Sequence, residues 1–125
     1  MLIKLLLLSS LLGFHDKDSV LKDIETSLKA GSARELVKYC NETFELKING
    51  ESASYSRNQA EMVLRKFFQR NPVRGFSYIH RGSSNEGLKY SIGKYSYDSG
   101  SYRVVMFLKE SDSGYQIYRL NFSKE

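Results

Sequence analysis

His80 is the side chain best suited by type to move protons near neutral pH. The other histidine is His15, close to the N-terminus, and the single thiol is Cys40. His80 stands in the run Phe76-Ser-Tyr-Ile-His80-Arg81, where strand alternation puts it on one face with Phe76 and Tyr78. If that face lines a cavity, His80 is a candidate general acid or base. Tyr78 or Tyr90 would then donate a hydrogen bond to developing negative charge, and Phe67 would help wall the pocket. The bland alternative is a half-buried strand histidine with satisfied nitrogens. No carboxylate pair accompanies it. Glu110 and Asp98 fall at strand ends or turns, and Glu45 alternates with Phe44 and Leu46 toward solvent. The phosphate-binding, dinucleotide-binding and nucleophile-elbow motifs are absent. One internal histidine and one cysteine do not make a transition-metal site, and nothing in the sequence calls for a cofactor. Cys40 is expected at the end of a helix on its apolar side, as a small buried hydrophobe. A nucleophilic role would require a base and a positive environment.

A second kind of chemistry is electrostatic. Between Glu61 and Glu86 lie Arg65, Lys66, Arg70, Arg74 and Arg81, with no acid among them. Arg65, Arg70, Arg74 and Arg81 are therefore candidates for an anion-binding patch. The competing reading is the solvated end of a helix and an adjoining strand, where cations also complement the helix dipole. Interleaved aromatics invite a nucleic-acid reading. Phe67 and Phe68 belong to a helix's buried stripe, however, so no stacking platform results and nucleic acid is not an expected partner.

The elements that must position these groups fit one domain. The chain has 125 residues, 41% of them hydrophobic and 26% charged, with a net charge of +5. A single cysteine excludes an intramolecular disulfide. The start, Met1-Leu-Ile-Lys4 followed by Leu5 to Leu8, Ser9, Ser10, Leu11, Leu12, Gly13 and Phe14, has the charged and apolar regions of a secretory signal. Residues 1–14 are thus read as a signal peptide and 15–125 as the domain, which would sit in the periplasm or cell envelope. An A-x-A cleavage site is missing. The alternative is a hydrophobic helix packed on the domain or a short membrane-surface anchor. The apolar run is too short to span a bilayer comfortably, so no transmembrane span is expected in the mature chain.

Val20, Leu21, Ile24 and Leu28 share a helical face that begins at Asp18 or Ser19 and stops at Gly31. Ser32 and Glu35 have capping-box spacing and open a short second helix, with Leu36, Val37 and Cys40 on its buried side. Phe44 to Ile48 alternates as a strand, Asn49-Gly50 turns it, and Glu51 to Tyr55 returns. Ser56 and Gln59 cap a third helix, from about Arg57 to Gln69. Its stripe is Ala60, Val63, Leu64, Phe67 and Phe68, and Asn71-Pro72 ends it. An antiparallel meander follows: Phe76–Arg81, Leu88–Tyr97, Tyr102–Lys109 and Tyr115–Phe122. Loops are expected at Ser83 to Gly87, Asp98 to Gly100 and Ser111 to Gly114. The class is α+β, in the order α-α-β-β-α-β-β-β-β, with the helices packed on a curved antiparallel sheet.

The strand Tyr102 to Leu108 is apolar on both faces. Tyr102, Val104, Met106 and Leu108 point one way, and Val105 and Phe107 the other, beside Arg103. Tyr90 and Ile92 oppose Tyr95 and Tyr97, and alternation sets Tyr118, Leu120 and Phe122 against Tyr115 and Ile117. Helices cover one face, so a partner subunit is the simplest cover for the other, and a homodimer is expected.

This order of segments resembles the nuclear-transport-factor-2-like, or cystatin-like, cone superfamily. More narrowly it is similar to the exported bacterial family called domain of unknown function 4783. The resemblance runs from about Asp18 to Phe122. It is carried by "IETSLKAGSA" from Ile24, "YSRNQAEMVLRKFF" from Tyr55, Asn71-Pro72, "IHRGSSNEG" from Ile79, "YSIG" from Tyr90 and "YRVVMFLK" from Tyr102. It implies a cone fold, a pocket at the wide end and export, and it brings no reaction. The expected function is a non-catalytic exported domain that binds a small ligand in its pocket or a protein through its sheet. The alternative is a cone-pocket enzyme of isomerase, dehydratase or hydrolase type using His80.

Overall fold

Three helix boundaries follow the caps that the sequence supplies, at Gly31, Ser32 and Ser56, but the first helix already includes Asp18 and Ser19, which were expected to cap it. The computed structural model describes residues 17–83, 88–112 and 114–125. Helix α1 (Lys17–Ala30) stops at Gly31, whose φ of 61° takes the chain out of the right-handed spiral. Ser32 then caps α2 (Ala33–Val37), its hydroxyl accepting from the Glu35 amide at 3.1 Å. The helix is one turn long. Cys40 therefore does not sit at a helix end as expected but opens β1 (Cys40–Ile48). The backbone there is recruited by the last strand: the Ile117 amide donates to the Tyr39 carbonyl at 2.8 Å. Cys40 is nonetheless fully buried, as expected.

Asn49 and Gly50 have φ of 50° and 87°, the two left-handed residues that a type I′ turn requires. They set Ile48 opposite Glu51 and start β2 (Glu51–Ser56). Without a linker, Ser56 caps α3 (Arg57–Arg70). Its hydroxyl accepts from the Gln59 amide at 3.2 Å, and the Gln59 side chain accepts from the Ser56 amide at 3.0 Å. The meander β3 (Gly75–Ser83), β4 (Lys89–Tyr97), β5 (Gly100–Ser111) and β6 (Gly114–Lys124) completes the sheet. The signal-peptide reading of residues 1–14, His15, and loop residues 84–87 and 113 lie outside the described residues. No helix among the described residues is long and apolar enough to cross a membrane.

The six strands form one curved sheet in the order β2-β1-β6-β5-β4-β3. Four pairings are antiparallel; β1 and β6 run parallel, with Leu46 beside Leu120 and Ile48 beside Phe122. The helices pack on one face. From them come Val20, Leu21, Ile24, Leu28, Leu36, Ala60, Leu64, Phe67 and Phe68. From the sheet come Phe44, Leu46, Tyr95, Tyr102, Val104, Met106, Leu108, Leu120 and Phe122. Phe67 anchors this layer: its ring lies 4.9 Å from Tyr102, 4.7 Å from Phe122 and 5.7 Å from Tyr95.

One sidedness expected from alternation fails. Ile117, Leu120 and Phe122 are all fully buried in the core, although 117 and 120 have opposite parity. The register explains it: Leu108 pairs with Ile117 but Phe107 pairs with Arg119, so Tyr118 is an extra residue in β6. Such a bulge inverts alternation beyond it. The outer face carries half-buried Tyr90, Ile92, Val105, Phe107 and Tyr118.

Gly93 is where close approach demands glycine. It lies opposite Tyr78, and a Cβ there would stand 2.4 Å from the Phe76 ring. Gly93→Ala must displace that ring from the core. The expected loss is about 1–3 kcal/mol in urea unfolding; an unchanged midpoint would mean that the ring moves freely.

Candidate functional site

The β1–β2 hairpin and the C-terminal half of α3 diverge from their junction at Ser56, and a cavity of about 770 Å³ opens between them. Leu46, Ile48, Ala53, Tyr55, Val63, Phe67 and Tyr102 supply its apolar surface. Asn49, Glu51, Ser52, Lys66, Arg70 and Asn71 supply its polar groups. The i, i+4 spacing of Lys66 and Arg70 places both cations on one side of α3. Both are exposed, and among the described residues neither is engaged in an ion pair. Two cations against Glu51 leave the lining net positive.

The polar groups are held in place. Asn49 donates from Nδ2 to the Tyr102 hydroxyl at 3.5 Å, and its Oδ1 accepts from the Lys124 amide at 3.2 Å. Tyr102 is 5% exposed, and its own proton has no acceptor among the described residues. It can donate to a bound group. Asn71 donates from Nδ2 to the Phe67 carbonyl at 3.0 Å, and its own carbonyl accepts from the Tyr95 hydroxyl at 2.5 Å. These bonds fix the end of α3 against the sheet.

The residues expected to form a pocket do not assemble. Phe67 lines the cavity; Tyr78, His80 and Tyr90 do not. His80 is not on the face of Phe76 and Tyr78. Tyr78 pairs with Gly93 and His80 with Ile92, so one extra residue is inserted in β3 at this step. This bulge turns His80 to the outer face, where it is exposed, with Nε2 3.1 Å from the Tyr90 hydroxyl. Ile79 at the bulge is 59% exposed. Tyr78 stays on the inner face and donates to the Leu21 carbonyl at 2.5 Å, tying α1 to β3. A tyrosine hydroxyl is within reach of His80, but an enclosing cavity is not.

The four arginines are also dispersed. Arg65 pairs with Glu61 and Arg74 with Asp98. Arg81 lies over the Tyr78 ring, 4.7 Å from its centroid. Arg70 alone of the four lines the cavity. Among the described residues no three His, Cys, Asp or Glu side chains gather where they could hold a metal ion. Sequence reasoning missed Asn49, Tyr55, Tyr102 and Asn71. Their one advance signal was the turn at Asn49-Gly50 followed directly by the cap at Ser56, which forces β2 and α3 to share a corner.

The signature of the family described as Domain of unknown function (DUF4783) matches residues 21–123. The chain belongs to the DUF4783 family. A DUF4783 family protein from Bacteroides ovatus, solved by crystallography, is 30% identical to it with a TM-score of 0.77, covering 82% of this chain and 93% of that one. Two more distant structures share the fold. A cystatin-like domain of unknown function from Nostoc punctiforme is 14% identical, with a TM-score of 0.65 over 85% of this chain and 73% of its own. An NTF2 design is 13% identical, with a TM-score of 0.68 over 85% and 95%. No curated protein matches the chain. The DUF4783 chain thus has the expected cone-type α+β fold.

Three buried protons link this layer to pH. Burial pushes the Tyr78, Tyr95 and Cys40 pKa values well above their ordinary ranges. Glu25 adds to the effect at Tyr78 against Arg81, Tyr102 adds at Tyr95, and Arg57 opposes it at Cys40. A raised folded-state pKa stabilises the fold below the unfolded pKa, and that stabilisation is lost as pH rises toward the folded value. The two tyrosines should therefore weaken the domain above about pH 10, the unfolded tyrosine value. Tyr95→Phe should flatten the alkaline fall in unfolding free energy by up to one proton, roughly 1.4 kcal/mol per pH unit. Urea midpoints across that range check it; an identical slope would exclude Tyr95.

Proposed function

We propose that this DUF4783 domain is a non-catalytic binding unit whose ligand has an apolar body and a negatively charged end. The observation that carries this is the composition of the cavity. Leu46, Ile48, Ala53, Tyr55, Val63 and Phe67 form one part of its lining, while among the described residues Lys66 and Arg70 stand without carboxylate partners, beside a Tyr102 hydroxyl whose proton has no acceptor there. A cavity of about 770 Å³ is the size of a small-molecule or short-segment site. The position of His80 outside it supports binding over acid–base turnover.

Octanoate, octanol and octylamine separate the two halves of this reading. Octanoate should bind the full chain most tightly in calorimetry, and Lys66→Gln or Arg70→Gln should each weaken it by about three- to ten-fold. His80→Gln should leave it unchanged. Equal binding of octanol and octanoate would remove the charged end from the proposal. Failure of all three, and of a fluorescent apolar anion such as anilinonaphthalene sulfonate, would remove the cavity.

Two further parts of the proposal rest on separate observations. The outer face, with Tyr90, Ile92, Val105, Phe107 and Tyr118 only half buried, supports a homodimer through the sheet. Light scattering should then give twice the chain mass, and Phe107→Glu should halve it; a monomeric wild-type chain at micromolar concentration would count against the dimer. The pattern of residues 1–14 supports export to the periplasm or cell envelope. Fractionating cells that express the full chain and the chain lacking those residues tests this, with only the former expected outside the cytoplasm.

A further inference from the structure

The sheet has two edges, and they differ. At one edge, β3 is interrupted by its bulge at Ile79 and carries His80 and Arg81, devices that discourage another strand from pairing. At the other edge, β2 reads Glu-Ser-Ala-Ser-Tyr-Ser. It has no bulge against β1, no proline and no lysine or arginine, and Glu51 to Ser54 are exposed. Its register shows which backbone groups face outward. In a two-residue hairpin, the pair flanking the turn exchanges both hydrogen bonds, and every second pair does so thereafter. Those pairs are Ile48 with Glu51, Leu46 with Ala53 and Phe44 with Tyr55. The N–H and C=O groups of Ser52 and Ser54 therefore point to the open edge. The Ser56 amide obeys the same phase, and it is taken by the Gln59 side chain.

This open edge is also a wall of the cavity: Glu51, Ser52, Ala53 and Tyr55 line it, opposite Val63, Lys66 and Arg70 of α3. A seventh strand added to β2 would send alternate side chains to the side of Ala53 and Tyr55, toward those α3 residues. Ala53 is small enough to leave them room. We infer that the ligand of this cavity is an extended peptide segment bearing an acidic residue, paired through its backbone with Ser52 and Ser54 and through its carboxylate with Lys66 and Arg70. The inference rests on the binding function proposed above and names its ligand class. A second copy of this chain fits less well, because edge-to-edge pairing would bring Lys66 and Arg70 of two α3 helices toward one another.

The test is selection of peptides from a random display library on the full chain, followed by affinity measurement. Expected are acidic peptides with alternating apolar residues. Ser54→Pro, which removes an outward amide at an edge position that tolerates proline, should weaken them about ten-fold or more while octanoate still binds. A selected peptide N-methylated at alternate residues should lose binding to the unaltered protein in the phase that faces β2, which guards against misfolding of the variant. Strand addition is overturned if octanoate binds but no peptide is enriched. It is also overturned if enriched peptides are basic, or if they bind the proline variant and the N-methylated forms equally well. A wild-type dimer that Ser54→Pro makes monomeric would give the edge to a second copy instead. Failure of the unaltered protein to bind either octanoate or peptides would overturn the cavity reading itself.

Discussion

Burial of Phe67 is the interaction on which the rest of this structure depends. Its ring touches Phe68, Tyr95, Tyr102 and Phe122, so a single side chain of α3 joins the helix layer to three strands of the sheet. An aromatic residue of this size contributes more apolar burial than any aliphatic neighbour, and its edge-to-face contacts add specificity of placement. The same buried ring also borders the cavity. The residue that closes the core is therefore also part of the floor of the site, and the position of Lys66 and Arg70 follows from it. They flank Phe67 on α3 and project wherever its packing sets the helix.

The polar bonds around that ring are few and directional. Tyr95 donates to the Asn71 carbonyl at the helix end, and Tyr78 donates to the Leu21 carbonyl in α1. Each phenol buries an apolar ring and delivers its hydroxyl to a backbone acceptor, so no buried side-chain oxygen or nitrogen is left unpaired among the described residues. Helices and sheet are thereby fixed in depth as well as in direction.

Much of this was legible from residue type. Asn49-Gly50, Ser56 with Gln59 and Gly31 each state a local backbone requirement, and each element begins or ends where that requirement falls. The buried stripe of α3 and the inner face of β5 follow from simple periodicity. What was not legible depends on pairing. A bulge is a property of two strands, so neither the turn of His80 to the outer face nor the common burial of Ile117 and Leu120 is encoded in one strand's alternation. The parallel partnership of β1 and β6 has no local signal at all. Of the site, Phe67 and Arg70 were visible as a stripe and a charge run. Asn49, Tyr55 and Tyr102 were not, because they meet only when separate segments close on one another.

That parallel partnership has a consequence for how the chain reaches its native state. β6 follows the other five strands in sequence, yet it lies inside the sheet between β1 and β5. Until its residues are available, the β1–β2 hairpin and the β3–β5 meander have no strand to join them. The contacts that unite the halves join β1 to β6 across the intervening elements, and non-local closure of this kind slows folding and delays it until β6 has been made. A nascent chain would hold two incomplete sheets with free inner edges until β6 emerges, and a chain lacking β6 would keep them. The domain's vulnerability thus lies less in its native surface than in the interval before its last strand arrives.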